Sequence, residues 1–138
     1  MAGYSGTPLL KKIGIREGDR VQLVNAPDAQ PDEFKSLPTN AKGDADVAIL
    51  FLKSQTELKR DWPKVASRIV PDGMLWIAWP KKASGVVTDL TEGVIRNYAL
   101  KTEFVDVKVC AIDDTWSGLK LVIRKEHRMA RSKSEAVK

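Results

Sequence analysis

The chain has 138 residues, 43% of them hydrophobic and 30% charged, with a formal net charge of +5 and one cysteine. That length holds one core of several elements rather than two domains, and no apolar run approaches the roughly 20 residues of a membrane-spanning helix. Cys110 has no partner for an internal disulfide, and "MAGYSGTPLLKK" lacks the apolar segment of a secretory signal, so a reducing cytoplasm is the expected setting.

The first helix is expected in "SGTPLLKKIGI", with Thr7 as cap, Pro8 in the first turn, Leu9, Leu10 and Ile13 as an apolar stripe, and Gly14 as its end. "DRVQLVNAP" predicts a short strand over residues 20–25, bounded by Gly18 and Pro27. Residues 27–44 are rich in Pro, Asp, Asn and Gly and read as a loop with one helical turn near residues 32–36; a further strand could lie hidden there.

"DVAILFL", residues 46–52, is almost continuously apolar and predicts a strand covered on both faces. Leu58, Trp62, Val65 and Ile69 then recur at helical spacing, with Pro63 either kinking one helix or opening a second segment capped by Asp61. "PDG", residues 71–73, reads as the turn that closes this unit, and "MLWIAW", residues 74–79, as the next buried strand. After a polar loop, Asp89 and Glu92 have the spacing of a capping box for a helix lined by Leu90, Val94 and Tyr98.

Two alternating strands follow, with Val105, Val107 and Val109 on one and Leu119, Leu121 and Ile123 on the other, joined through "DDTWSG" as a hairpin. Residues 124–138 then hold six Lys/Arg against Glu126 and Glu135, leaving 17 basic and 16 acidic groups on the rest of the chain. The positive charge thus belongs to the tail, which gives only a weak case for a nucleic-acid contact there. Residues 1–125 read as a single domain and residues 126–138 as a basic, disordered tail. The expected architecture is an α/β, Rossmann-like three-layer sandwich, with a mostly parallel sheet of about five strands ending in an antiparallel hairpin.

This order of elements, with "PDGMLWIAWP", resembles the C-terminal half of the class I SAM-dependent methyltransferase fold. That resemblance implies a Rossmann-like core. Where such enzymes carry a glycine-rich turn after the first strand, this sequence has the glycine-free "VNAPDAQPDEF", and the two following strands, the second of which would deliver an acidic residue for ribose hydroxyls, have no counterpart. The blocks "AGYSGTPLLKKIGI", "LWIAWPKKASGVVTDLTE" and "VDVKVCAIDDTWSGLKLVIRK" look like a family of small bacterial proteins known as a domain of unknown function, which implies a stand-alone bacterial protein of this fold and no particular reaction.

Ligands of open α/β sheets sit beyond the carboxyl ends of the strands. On that rim, Lys81 and Lys82 could meet an anion as point charges, while Ser84, Gly85 and Thr88 could donate beside a helix N-terminus; a solvated connector is the alternative. Asn25 lies at the end of the first strand, and Trp79 and Trp116 would flank the rim, where an indole can stack on a base or a lysine. Trp62 and Trp76 read as core. "SGTP", residues 5–8, is a second helix start, better read as an ordinary cap. Asp113 and Asp114, adjacent on extended chain, face opposite ways and suit a turn better than acid–base chemistry.

Cys110 falls mid-strand and reads as a buried, inert thiol; His127 sits in the charged tail, and no Cys/His set has metal-ligand spacing. The expectation is therefore a non-catalytic module for a small anionic or nucleotide-like ligand, such as a nucleotide or phosphorylated small molecule, with no required cofactor or metal and no membrane. The alternatives are a degenerate methyltransferase-like enzyme completed by a partner chain, and an interaction module that contacts nucleic acid through its tail or forms a homodimer through an exposed sheet edge.

Overall fold

The computed structural model describes residues 9–28, 31–35, 39 and 43–128. Helix α1 spans Leu9–Ile13, strand β1 Val21–Val24, helix α2 Asp32–Lys35 and strand β2 Ala45–Phe51. Helix α3 spans Gln55–Ala66, strand β3 Ile69–Pro80, a 3₁₀ turn Lys82–Ser84, helix α4 Glu92–Leu100, and strands β4 and β5 Phe104–Ala111 and Trp116–Ile123. The strands form one sheet in the order β1-β2-β3-β5-β4. β1, β2 and β3 pair in parallel, and β5 runs antiparallel to both of its neighbours. The expected mostly parallel sheet with a terminal hairpin is the architecture found.

β2 is apolar from Val47 to Phe51 because both of its faces are covered there. Ala48, Leu50 and Leu52 join Leu58, Trp62, Leu90, Ile95 and Ala99 beneath α3 and α4, while Val47, Ile49 and Phe51 join Leu9, Ile13 and Phe34 beneath α1 and α2. Helices on both faces of a sheet whose middle strands are buried twice make the three layers. Trp62, buried as expected, packs edge-on against Tyr98 and Phe104, with ring centroids 5.3 and 5.4 Å apart. Trp76, also core, donates its Nε1–H to the Ile13 carbonyl at 3.0 Å and so seats α1 on the sheet.

α3 is a single helix that contains Pro63. Ser54 Oγ accepts from the Glu57 amide at 3.1 Å, and Glu57 Oε1 accepts from the Lys53 amide at 2.7 Å, which anchors the first turn. The "PDG" segment is not a turn between elements. β3 runs through it, pairing Ala45 with Ile69 and then Val47 with Met74, so Pro71, Asp72 and Gly73 are accommodated as an irregularity in a longer strand. A Cβ on Gly73 would lie 2.9 Å from the Asp46 carbonyl oxygen, which is why the backbones can close there.

The capping box at Asp89 is not formed either. Thr91 caps α4 by accepting from the Val94 amide at 3.2 Å, while Asp89 Oδ1 accepts from the Gln55 amide at 2.8 Å. The free amides at the start of α3 draw that carboxylate away from its own helix. In the hairpin, Leu119, Leu121 and Ile123 are buried, but Val107 and Val109 are 51% and 41% exposed. β4 is the sheet's edge strand, and a register shift between Asp106 and Lys108 breaks the alternation that the sequence suggests.

Thr7 and Pro8 lie outside the described residues, but α1 buries Leu9 and Ile13, and Gly14 follows it at φ 96°. Within the predicted loop, Thr39 makes an isolated parallel bridge to Val21 on the outer edge of β1. Residues 125–128 form a helical turn, held where Arg128 Nε donates to the Ile123 carbonyl at 2.7 Å. No helix among the described residues is long and apolar enough to cross a membrane.

Candidate functional site

A cleft of about 260 Å³ opens at the carboxyl ends of β1 and β2, beside the first turns of α3. Phe51 and Trp116 contribute its aromatic side; their rings meet edge to face with centroids 5.2 Å apart. Asn25 and Pro27 border it from the end of β1, and Lys53, Glu57 and Arg60 border it from the end of β2 and from α3. Glu57 and Arg60 share this border because residues three apart on a helix lie on one side of it.

Asn25 has the described chain's positive φ at a non-glycine residue, 60°. Asparagine tolerates this left-handed conformation better than most residues, and here it ends β1 abruptly at the cleft. Its Nδ2 donates to Asp61 Oδ2 at 3.0 Å, and Arg60 grips the same carboxylate through Nε and Nη2 at 3.0 and 2.9 Å. Asp61 is covered to 13% side-chain exposure, and the Arg60 hydrogen bond, reinforced by Asn25, holds its carboxyl below the usual carboxylate range despite partial burial. The β1 end, α3 and the cleft border are thereby locked together.

The residues expected to form the site are divided by the fold. Asn25 and Trp116 meet at the cleft. Trp79 does not: it is buried among Leu58, Leu90 and Ile95 on the α3/α4 side, whereas Trp116 opens β5 and is buried on the α1/α2 side, because neighbouring positions on β3 face opposite ways. The two indoles therefore cannot flank one rim. Lys81 donates its backbone N–H to the Thr115 carbonyl at 2.8 Å, and Lys82 is exposed in the 3₁₀ turn.

Ser84 Oγ donates to the Lys81 carbonyl at 2.6 Å and accepts from the Val86 amide at 3.1 Å, so its hydroxyl serves its own turn. Gly85 ends that turn at φ 80°. Thr88 Oγ1 accepts from the Leu90 amide at 3.0 Å, and α4 begins only at Glu92, so no helix N-terminus stands behind Ser84 and Gly85.

The sequence places Lys53 at a strand end on the rim but does not single out Phe51, Glu57 or Arg60. Their signal was the end of the apolar β2 run followed by a capped helix, the arrangement that places ligands in open α/β sheets. Cys110 is half-buried rather than fully buried; burial pushes its thiol up, against the opposing influence of Lys12 and Lys108. Asp113 shapes the hairpin connection, with Oδ1 accepting from the Thr115 and Trp116 amides at 2.9 and 2.8 Å. Among the described residues no three His, Cys, Asp or Glu side chains cluster as metal ligands would.

No family model matches the chain, and no curated protein matches it. Among solved structures it is similar to that of LepI in complex with SAM, at 11% identity and TM-score 0.50, over 86% of this chain and 47% of LepI. It is also similar to the mitomycin 7-O-methyltransferase MmcR, at 13% identity and TM-score 0.47, over 68% of this chain and 33% of MmcR. The chain thus spans less than half the length of either neighbour. With the strand order above, the likeness to LepI shows an α/β, Rossmann-like fold.

Proposed function

We propose that this protein is a binding module for a small anionic or nucleotide-like ligand, held in the cleft between the β1 end and α3. The observation that carries this reading is the convergence of Asn25, Lys53 and Arg60, two cations against the single carboxylate of Glu57, on the aromatic side formed by Phe51 and Trp116. Lys53, and the side of the Arg60 guanidinium turned away from Asp61, can meet phosphate or carboxylate oxygens, and the aromatic edges can cover a ring. A backbone strained at Asn25 on the cleft border agrees with a site, since such conformations concentrate where ligands are held. The cleft's volume lies just below the usual range for ligand pockets, about 300–1,000 Å³, and suits part of a small molecule rather than a whole dinucleotide.

The second reading is a methyltransferase-like enzyme, favoured by the position of the cleft beyond the strand ends of a methyltransferase-like core. The residues present do not fit the glycine-turn mode of holding an adenosyl cofactor. Asn25 takes the left-handed position with its side chain tied to Asp61, and "NAPDAQ" offers no glycine for close backbone approach. No methyl-transfer step is assigned to this chain on its own.

The test is a thermal shift of the protein against nucleotides, phosphorylated metabolites and S-adenosylmethionine, repeated on Lys53→Ala/Arg60→Ala and on Lys81→Ala/Lys82→Ala. A ligand at 100 times its Kd adds about 2.7 kcal/mol, a rise of several degrees. A shift lost in the first variant and kept in the second supports the cleft. The reverse pattern would move the site to the β3 loop, and a flat panel would remove the ligand reading.

A further inference from the structure

The two faces of the sheet are finished differently at the hairpin. Leu119, Leu121 and Ile123 of β5 lie in the core beneath α3 and α4, so the alternate residues Lys120 and Val122 turn to the opposite face. The register carries their β4 partners with them: Val105 stands opposite Val122, and Lys108 opposite Lys120. Met74 of β3, part-exposed and packed against the cluster beneath α1, continues the apolar row beside Val122. All but Lys108 are part-exposed, Lys108 is exposed, and the two valines pack into neither hydrophobic cluster.

This half-face joins an apolar row to a pair of like charges. Lysines directly opposite each other on paired strands repel. Neither forms an ion pair among the described residues. Asp106, the acid of β4, turns to the other face, where Arg96 Nε donates to it at 2.9 Å, and β5 has no acid. Partial burial, and then Lys108, makes the Lys120 ammonium easier to deprotonate, as expected of a cation without a counter-charge.

Outside the described residues the chain carries a single acid, Glu135. Residues 1–8 contain no acid, and residues 129–138 contain Glu135 against Arg131, Lys133 and Lys138. A second copy placed face to face brings the same lysines and no carboxylate on this face. Pairing along the β4 edge is opposed by the irregularity between Asp106 and Lys108, since such irregularities blunt edges.

We infer that this β4–β5 face docks an acidic amphipathic helix of a partner protein, its apolar stripe on Met74, Val105 and Val122 and its carboxylates on Lys108 and Lys120. The spacing suits a helix lying across the strands. Neighbouring strands lie about 4.7–4.9 Å apart and one helical turn advances about 5.4 Å, so successive turns of one apolar stripe can meet Met74, Val122 and Val105 while acidic side chains on its flank reach the row of Lys120 and Lys108, about 6.7 Å further along the strands. This surface is separate from the cleft.

The probe is an 18-residue helical peptide with leucines at i, i+3, i+4 and i+7 flanked by glutamates, titrated into the full chain by calorimetry and by NMR shift mapping. A second peptide carries lysine in place of each glutamate. The expected result is saturable binding of the glutamate peptide with shifts confined to β4 and β5. Binding should weaken at least tenfold in Lys108→Glu/Lys120→Glu, which should gain affinity for the lysine peptide, and should persist in Lys81→Ala/Lys82→Ala. If the charge-reversed chain fails to fold, Lys108→Gln/Lys120→Gln serves in its place and should lose the glutamate peptide while melting no lower than the parent. Absence of saturable binding, equal binding by the lysine variants, or shifts centred elsewhere would overturn the inference.

Discussion

Replacing Gly118 by alanine should destabilise the protein although the change adds one methyl group. Gly118 sits in β5 with Ala78 and Cys110 as its strand partners. A Cβ there would lie 2.9 Å from Trp76 Cε3 and 3.0 Å from Ile112 Cδ1. Carbon atoms prefer roughly 3.5–4.0 Å, so the methyl group overlaps two neighbours by about half an ångström or more. Trp76 cannot yield easily: it is fully buried and its indole N–H is committed to the Ile13 carbonyl.

Overpacking of this kind costs about 1–3 kcal/mol, and removing a flexible glycine from a strand returns roughly 0.5–1 kcal/mol. Because two neighbours are overlapped at once, the overpacking cost falls at about 2–3 kcal/mol, so the net loss is about 1–2.5 kcal/mol, a fall in Tm of roughly 3–12 °C for a domain of this size. Calorimetric or circular-dichroism melts of Gly118→Ala measure it. Adding Ile112→Ala, which clears one of the two contacts, should recover part of the loss as a coupling of at least about 0.5 kcal/mol, whereas Leu58→Ala on the buried face of α3 should simply add. A Tm equal to or above that of the parent would refute the close contact on which the reasoning rests.

Two further outcomes concern the lock beside the cleft. Asn25→Gly keeps the left-handed backbone and removes the bond to Asp61, for a loss of about 0.5–1.5 kcal/mol; Asn25→Ala also forces a Cβ into that conformation and should lose about 1 kcal/mol more, so alanine melting at or above glycine would sink the assignment of strain. The second is an acid limb. The folded-state pKa values of Asp61 and Asp46 are depressed by their arginine hydrogen bonds, so their stabilisation is fully present above the unfolded-state pKa, near pH 4, and is lost as pH falls through the lower folded values. Asp61→Asn should flatten that decline in denaturant titrations between about pH 4 and pH 2, and an unchanged slope would argue against the Arg60–Asp61–Asn25 lock.

Much of this architecture is legible in local chemistry. The unbroken apolar run of β2 demands cover on both faces, the Leu58–Trp62–Val65 spacing writes α3, and the alternation of Leu119, Leu121 and Ile123 writes β5. Each follows from periodicity, which neighbouring residues fix by themselves. Asn25 and Trp116 were also reachable, because the ends of strands in such a sheet converge on one rim.

What remained was settled by partners distant in the chain. Pro71, Asp72 and Gly73 have turn chemistry, yet pairing with β2 on both sides draws them into β3. Asp89 has the spacing to cap its own helix, yet the unsatisfied Gln55 amide lies within its reach. Val107 and Val109 alternate as core residues would, yet a register shift on an edge strand leaves them in water. Trp79 and Trp116 fall on opposite sides of the sheet because side chains alternate along β3 and β5, and the cleft forms where α3 brings Glu57 and Arg60 beside Asn25. Each depends on hydrogen-bond partners and packing across the sheet, which only the folded chain brings together.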